Sequence, residues 1–211
     1  MTIETLKFDL KDDEQTSAFA RLIQALNAHY SSFSILQLDA HADLREAYEG
    51  FEQSHASIMF NVVESCSNLN QLVQVGIRDL SSDEHQLSLT HPKITTFFDW
   101  NLKEESFMGK TWNSQCEEII ASLSNDVYIS FDIDGLIPNL CPNTGTPVAG
   151  GFTLEQLSFL IFKVVESGRR IIGFDLNEVS PGSSGDWDAN VGARALWQLV
   201  CATELSRRIS C

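Results

Sequence analysis

The chain has 211 residues, enough for one domain (1–211) with a substantial core, and no linker, repeat or low-complexity segment divides it. Fourteen Lys and Arg against 29 Asp and Glu leave a net charge of −15, which argues against nucleic acid or an anionic membrane as partner and favours a small cationic one. The N-terminus lacks a signal core, and the longest apolar stretch, 157–165, is broken by Lys163 and too short to span a bilayer. Five cysteines without CxxC pairs indicate neither a zinc ribbon nor a secreted disulfide framework, so a cytoplasmic protein with reduced thiols is expected.

Strand and helix patterns alternate along the chain. Residues 6–10 are strand-like, and short apolar runs predict strands at 35–39, 72–77, 94–98, 127–132 and 170–175. Between and around them, helical spacing predicts helices at 14–28, 55–64, 82–89, 114–122, 154–166 and 189–206. Thr153 with Gln156 has the form of a capping box. This alternation implies right-handed βαβ units, hence an α/β fold with three αβα layers and a mainly parallel sheet. The strand ends at Asp39, Asp132 and Asp175 then share one sheet edge, where open α/β sheets bind their ligands.

The densest chemistry stands at two of those ends. Asp39-Ala40-His41-Ala42-Asp43 places two carboxylates and an imidazole within five residues, and Asp132-Ile133-Asp134 adds two more acids. Side chains alternate faces along a strand, so Asp132 and Asp134 can converge only if the strand ends near Asp132. Hard oxygen donors with one imidazole suit Mn²⁺ or a similar divalent ion better than Ca²⁺ or a thiolate-loving metal. Five donors could hold two ions if some carboxylates bridge, and such a pair can bring the pKa of water near neutrality.

Four motifs in order, Asp39 to Asp43, Ser130-Phe-Asp-Ile-Asp134, Asn143-Thr-Gly-Thr-Pro-Val-Ala-Gly-Gly151 and Asp175-Leu-Asn-Glu-Val-Ser-Pro181, resemble the ureohydrolases: arginase, agmatinase, formiminoglutamase and relatives. The resemblance runs from about Lys7 to the C-terminus. It implies an arginase-like fold, a trimer or hexamer, and a two-manganese site that hydrolyses a guanidino or amidino C–N bond to urea and an amine. One ion would be held by His41, Asp39, Asp132 and Asp134, the other by Asp39, Asp43, Asp132 and a further histidine. Asp134 would orient the attacking water, His55 would carry the proton to the leaving amine, and Glu178 would pair with the guanidinium. Thr146 would touch the substrate or metal-bound water. The stretch from Asp39 through Arg45, Tyr48 and Gly50 to Ser54-His55-Ala56 is most similar to bacterial agmatinases, which makes agmatine the leading substrate; formiminoglutamate, arginine and guanidino acids are alternatives.

The chain departs from the family pattern at three places. Gln15 stands where the further metal-ligating histidine is expected, so the second ion would be weakly held or absent; His29, near a helix end, is a poor substitute. Ile137 replaces an aspartate in the loop after Asp134, and Asn143 replaces a glycine. The family also has a longer N-terminal portion, so a natural shortening, a mis-called start or a degenerating copy is expected here. These departures support a second reading: an impaired ureohydrolase-like protein with one weakened metal site, serving as a binding or regulatory subunit. Asp175 is expected to support a ligand histidine or the neighbouring loop, and the bland expectation for Glu178 is an ion pair with Arg194.

Overall fold

A computed structural model describes residues 14–182 and 185–209, without the side chains of residues 14–18 and 20. Its elements alternate: α1 (Glu14–His29), β1 (Phe33–Leu38), α2 (Ile58–Ser65), β2 (Leu69–Ile77), α3 (Ser82–Thr90), β3 (Ile94–Phe98), α4 (Asp99–Phe107), α5 (Trp112–Ala121), β4 (Asp126–Asp132), α6 (Leu154–Glu166), β5 (Arg170–Asn177) and α7 (Trp187–Ile209). Short 3₁₀ turns at His55–Ser57 and Ile133–Gly135 complete them.

The strands pair in the order β3-β2-β1-β4-β5, every pair parallel. Strands buried on both faces explain the unbroken apolar runs in the sequence. One face carries Phe19 and Ile23 of α1, Met59 and Val62 of α2 and Leu87 of α3, packed with Ile35, Leu72 and Tyr128. The other carries Leu102 of α4, Ile119 of α5, Leu160 and Val164 of α6 and Leu199 of α7, packed with Leu36, Val73 and Ile129. The expected three-layer αβα architecture is therefore present, with the described sheet parallel throughout.

From β1 the chain winds outward to β2 and β3, then returns to place β4 on the other side of β1. Strand order thus reverses between β1 and β4. Their C-terminal ends flank the crevice in which open α/β sheets hold ligands, and Asp39 and Asp132 stand there.

Several boundaries differ from expectation for identifiable reasons. Helix α4 follows β3 without a loop and has little apolar periodicity: Leu102 is buried, whereas Trp100 and Phe107 are exposed. The helix expected at 55–64 begins as the 3₁₀ turn, and α5 starts two residues early because Thr111 caps it through Ser114 N. Helix α7 extends beyond 189–206 in both directions. The Thr153–Gln156 capping box is present at α6, with bonds of 3.0 and 3.2 Å. The strand expected at 6–10 lies outside the described residues. Among the described residues, no helix is long and apolar enough to cross a membrane.

Candidate metal centre

Asp39 is the first residue after β1 and His41 follows two residues later, where Arg78 N and Asp79 N both donate to Ala40 O and tie this segment to the end of β2. Strand β4 ends at Asp132, whose carboxylate accepts from Asp134 N at 2.9 Å and starts the 3₁₀ turn. That turn brings Asp134 back toward β1, so its Oδ1 accepts from Ala40 N at 3.1 Å. Gly135 allows this approach: a Cβ there would lie 3.0 Å from Asp39 N. Asp132 and Asp134 therefore reach one cleft because the strand stops between them.

His41 Nδ1 lies 3.0 Å from Asp134 Oδ2 and 3.7 Å from Asp39 Oδ1, while its Nε2 is 3.7 Å from Asp79 Oδ2. Asp39 is further held by His41 N at 2.7 Å and by the buried Gln37 amide at 2.9 Å. Gln74 donates to Gln37 and to Ala42 O, and Thr96 donates to Gln74, so a chain of polar groups runs from β3 beneath the site to Asp39. Asp43 O accepts from Met59 N and Phe60 N at the start of α2, which fixes the loop carrying its carboxylate.

These groups crowd like charges together. Burial pushes Asp39 up to about 6. Burial and the Asp39 charge raise Asp43 and Asp132 well above the usual carboxylate range. Burial opposes a charged His41, yet hydrogen bonds to Asp134 and Asp39 outweigh it and carry the imidazole up to about 10. Burial likewise works against the Asp134 carboxylate, but the His41 bond holds it below its ordinary value. A divalent cation would relieve this repulsion, with the acids ionised and His41 neutral. Ligand atoms of Asp39, His41 and Asp134 already lie within 4.8 Å of one another. The oxygen-and-imidazole set fits manganese.

All eight residues singled out in the sequence, Asp39, His41, Asp43, His55, Asp132, Asp134, Thr146 and Glu178, line one cleft of about 410 Å³. Only Asp39, His41 and Asp134 form the compact triad; Asp43 and Asp132 stand in the same cleft outside it. His55 opens the first 3₁₀ turn, its ring edge-on to Tyr48 at 5.5 Å, and Arg45 lies over the Tyr48 ring at 5.0 Å. Glu178 follows β5 in left-handed backbone, and Thr144 Oγ1 donates to its carbonyl. The expected partner Arg194 instead donates to Asn190, so no ion pair between it and Glu178 occurs. Asp175 accepts from Ser130 and Asn177 rather than from a histidine, its Oδ2 has no hydrogen-bond partner, and burial pushes it up to about 6. Gln15 lies in α1 one helical turn before Phe19, which borders Asp39, Asp43 and Asp132; the Gln15 side chain is outside the described residues. His29 is the last residue of α1, away from the cleft.

Some contributors were not foreseen. Arg78 and Asp79 follow β2 onto the same sheet edge, a position readable once that strand's end is known. The buried Glu84 closes a capping box with Ser81 and accepts from Leu44 N; the Ser81-x-x-Glu84 spacing is a signal that could have found the cap, though not the cleft. A larger groove of about 980 Å³ between α6 and α7, lined by Phe159, Trp187 and Trp197, contains none of the eight residues.

The chain is similar to known proteins over most of its length. The chain is 34% identical over 175 residues to N(1)-aminopropylagmatine ureohydrolase of Thermus thermophilus, covering 83% of this chain and 55% of that one. It is 32% identical over 163 residues to agmatinase of Halalkalibacterium halodurans, covering 76% and 51%. The crystal structure of a hypothetical agmatinase from Burkholderia thailandensis superposes with a TM-score of 0.73 at 26% identity, covering 90% of this chain and 56% of that one. The chain thus spans about half the length of the curated relatives it matches. With the family model matching residues 17–202 and the switch-point cleft built as described, the chain belongs to the Arginase family.

Proposed function

We propose that the chain is a manganese-dependent hydrolase of a guanidino C–N bond in a small cationic substrate, with agmatine the leading candidate, and that it works as a homo-oligomer, a trimer or hexamer. One observation carries the reading: the Asp39–His41–Asp134 triad shares its cleft with His55, Thr146 and Glu178. The names of the relatives support it, since two of them are ureohydrolases of agmatine or an aminopropyl derivative. So does the charge of −15, which favours cations.

Asp39, His41 and Asp134 would hold one ion, with Asp132 beside them. Asp39, Asp43 and Asp132 would contribute to a second, whose remaining donor the family pattern assigns to position 15. Bound manganese supplies Lewis acidity, which lowers the pKa of water. The chain's own residues do the rest. Glu178 receives the planar guanidinium through paired hydrogen bonds. Thr146 closes the other wall against the substrate. Asp134 orients the water that adds to the guanidinium carbon. As the C–N bond to the aliphatic chain breaks, His55 delivers a proton to the departing amine, a task suited to imidazole at neutral pH. Water is consumed; urea and a protonated amine leave.

The test is urea release from agmatine by the Mn²⁺-loaded protein beside Glu178→Gln. Wild type is expected to release urea and amine in equal amounts, and the variant to lose on the order of 10²-fold in rate. No urea from agmatine, N(1)-aminopropylagmatine, arginine or 4-guanidinobutyrate would overturn the reading. The impaired-subunit reading rests on Gln15, and among the described residues no contact within the cleft favours it.

A further inference from the structure

The loop that brings Thr146 to the cleft is fastened at both ends. Asn143 donates its backbone and side-chain N–H groups to the buried Asp188, both at 2.9 Å, and Thr144 bonds to Glu178 O. At the far end Gly151 N donates to Asp99, and Lys103 Nζ donates to Gly151 O. Between these anchors, among the described residues, the hydrogen bonds reaching residues 145–150 come from Arg78 alone. Its Nε and Nη2 donate to Val148 O at 3.3 and 3.1 Å.

The same guanidinium holds the metal side of the cleft. Nη2 also donates to Asp134 O at 2.6 Å and Leu136 O at 3.2 Å, and Nη1 donates to Gly76 O at 3.1 Å. Each acceptor is a main-chain carbonyl, so what these contacts use is the fork's geometry. One planar group thereby joins the end of β2, the turn that aims Asp134, and the middle of the Thr146 loop. Arg78 itself does not line the cleft.

We propose that Arg78 is a positioning residue that sets the separation between Asp134 and the Thr146 loop, coupling ion affinity to substrate affinity through a side chain that touches neither ligand. The substrate half rests on the function proposed above; the ion half does not. A lysine brings one nitrogen in place of three, so it loses the Nη1 bond to Gly76 O and the Nε bond to Val148 O, and with them the fixed directions that tie the end of β2 to the turn and the loop.

The experiment compares wild type, Arg78→Met, Arg78→Lys and Leu160→Ala, the last weakening the core on α6 away from the cleft. Three quantities are read: Mn²⁺ affinity by calorimetry, hydrogen exchange of the Ile137 and Phe152 amides relative to those of α6, and KM against kcat for agmatine. Ile137 N bonds to Phe152 O and Phe152 N to Gly135 O, so these amides report the junction of turn and loop. Both Arg78 variants are expected to lose about 10–100-fold in Mn²⁺ affinity and to exchange selectively faster at these amides, as loss of an outer support does elsewhere. KM is expected to rise about tenfold in step with the weaker Mn²⁺ binding. Leu160→Ala is expected to lower Tm with Mn²⁺ affinity intact. The proposal is overturned if Arg78→Lys matches wild type, because charge alone then suffices. It is equally overturned if Arg78→Met resembles Leu160→Ala, losing Tm with unchanged ion affinity and no selective exchange. A wild type that releases no urea defeats the proposed function, while calorimetry and exchange still decide the role of Arg78.

Discussion

Glu178 and Asp43 hold φ angles of +59° and +53°, and with Glu49 they are the non-glycine residues in left-handed backbone among those described. An L side chain there costs about 1–2 kcal/mol, and strain of this kind clusters where a site over-determines the backbone. Glu178→Gly is therefore expected to raise stability by about 1 kcal/mol while abolishing urea release. Urea melts beside the activity assay check this; a destabilised variant would show that the Glu178 contacts outweigh its strain. Gln37→Leu removes the amide that holds Asp39 Oδ2, and calorimetry is expected to find Mn²⁺ bound about 10–100-fold more weakly. Gln15→His restores an imidazole at the position the family pattern reserves for a ligand, and it is expected to tighten a second ion. Unchanged stoichiometry and affinity would place that ligand elsewhere. Seven of the eight cleft residues were readable from four motifs and His55 from the Ser54-His55-Ala56 stretch, because strand-end acids and loop residues announce themselves by type and spacing. Gln74 and Arg78 were not, since each acts on a segment from another part of the chain; nor was Gln37, whose amide reaches Asp39 only two residues on but is set by its bond from Gln74.

At the scale of elements, the five strands were legible because each is a short apolar run, buried along β1 and most of β2 and β4 and half-buried in the edge strands β3 and β5, and α6 because its stripe is wide and its cap explicit. Thr153→Ala should cost about 1 kcal/mol by removing the bond to Gln156 N, and denaturant midpoints measure the loss with Mn²⁺ affinity unchanged. Helix α4 escaped the pattern because it rests on Leu102 and on the ion pair of Asp99 with Lys103 rather than on a stripe. Its place is set by tertiary contact: Asp99 reaches Gly151 N, and Lys103 reaches Gly151 O.

For the whole molecule, the crowded acids predict an unusual pH dependence. Asp39 and Asp175 titrate near 6 in the fold, above the ordinary 3.8, and Asp43 and Asp132 move the same way. Between about pH 4 and 6 the folded metal-free chain binds more protons than the unfolded one, so its stability falls as pH rises through that window. The depressed Asp134 contributes stability that is lost only below the window, and the raised His41 contribution is lost only as pH climbs toward about 10. Metal-free protein is thus expected to have a higher Tm at pH 5 than at pH 7.5, with Mn²⁺ reversing the order; a Tm that rises from pH 5 to 7.5 without metal would refute it. By itself the sequence determined the alternating βαβ plan, the acids at two strand ends and the family, because apolar period, turn residues and motif spacing are local or linear properties. Only the tertiary structure decided that strand order reverses between β1 and β4, that three of the five acid and histidine donors form a compact triad, and that one arginine binds the turn to the loop. Strand order, the meeting of side chains distant in sequence, and the hydrogen bonds of a half-buried guanidinium depend on how elements pack, which spacing along a chain does not encode.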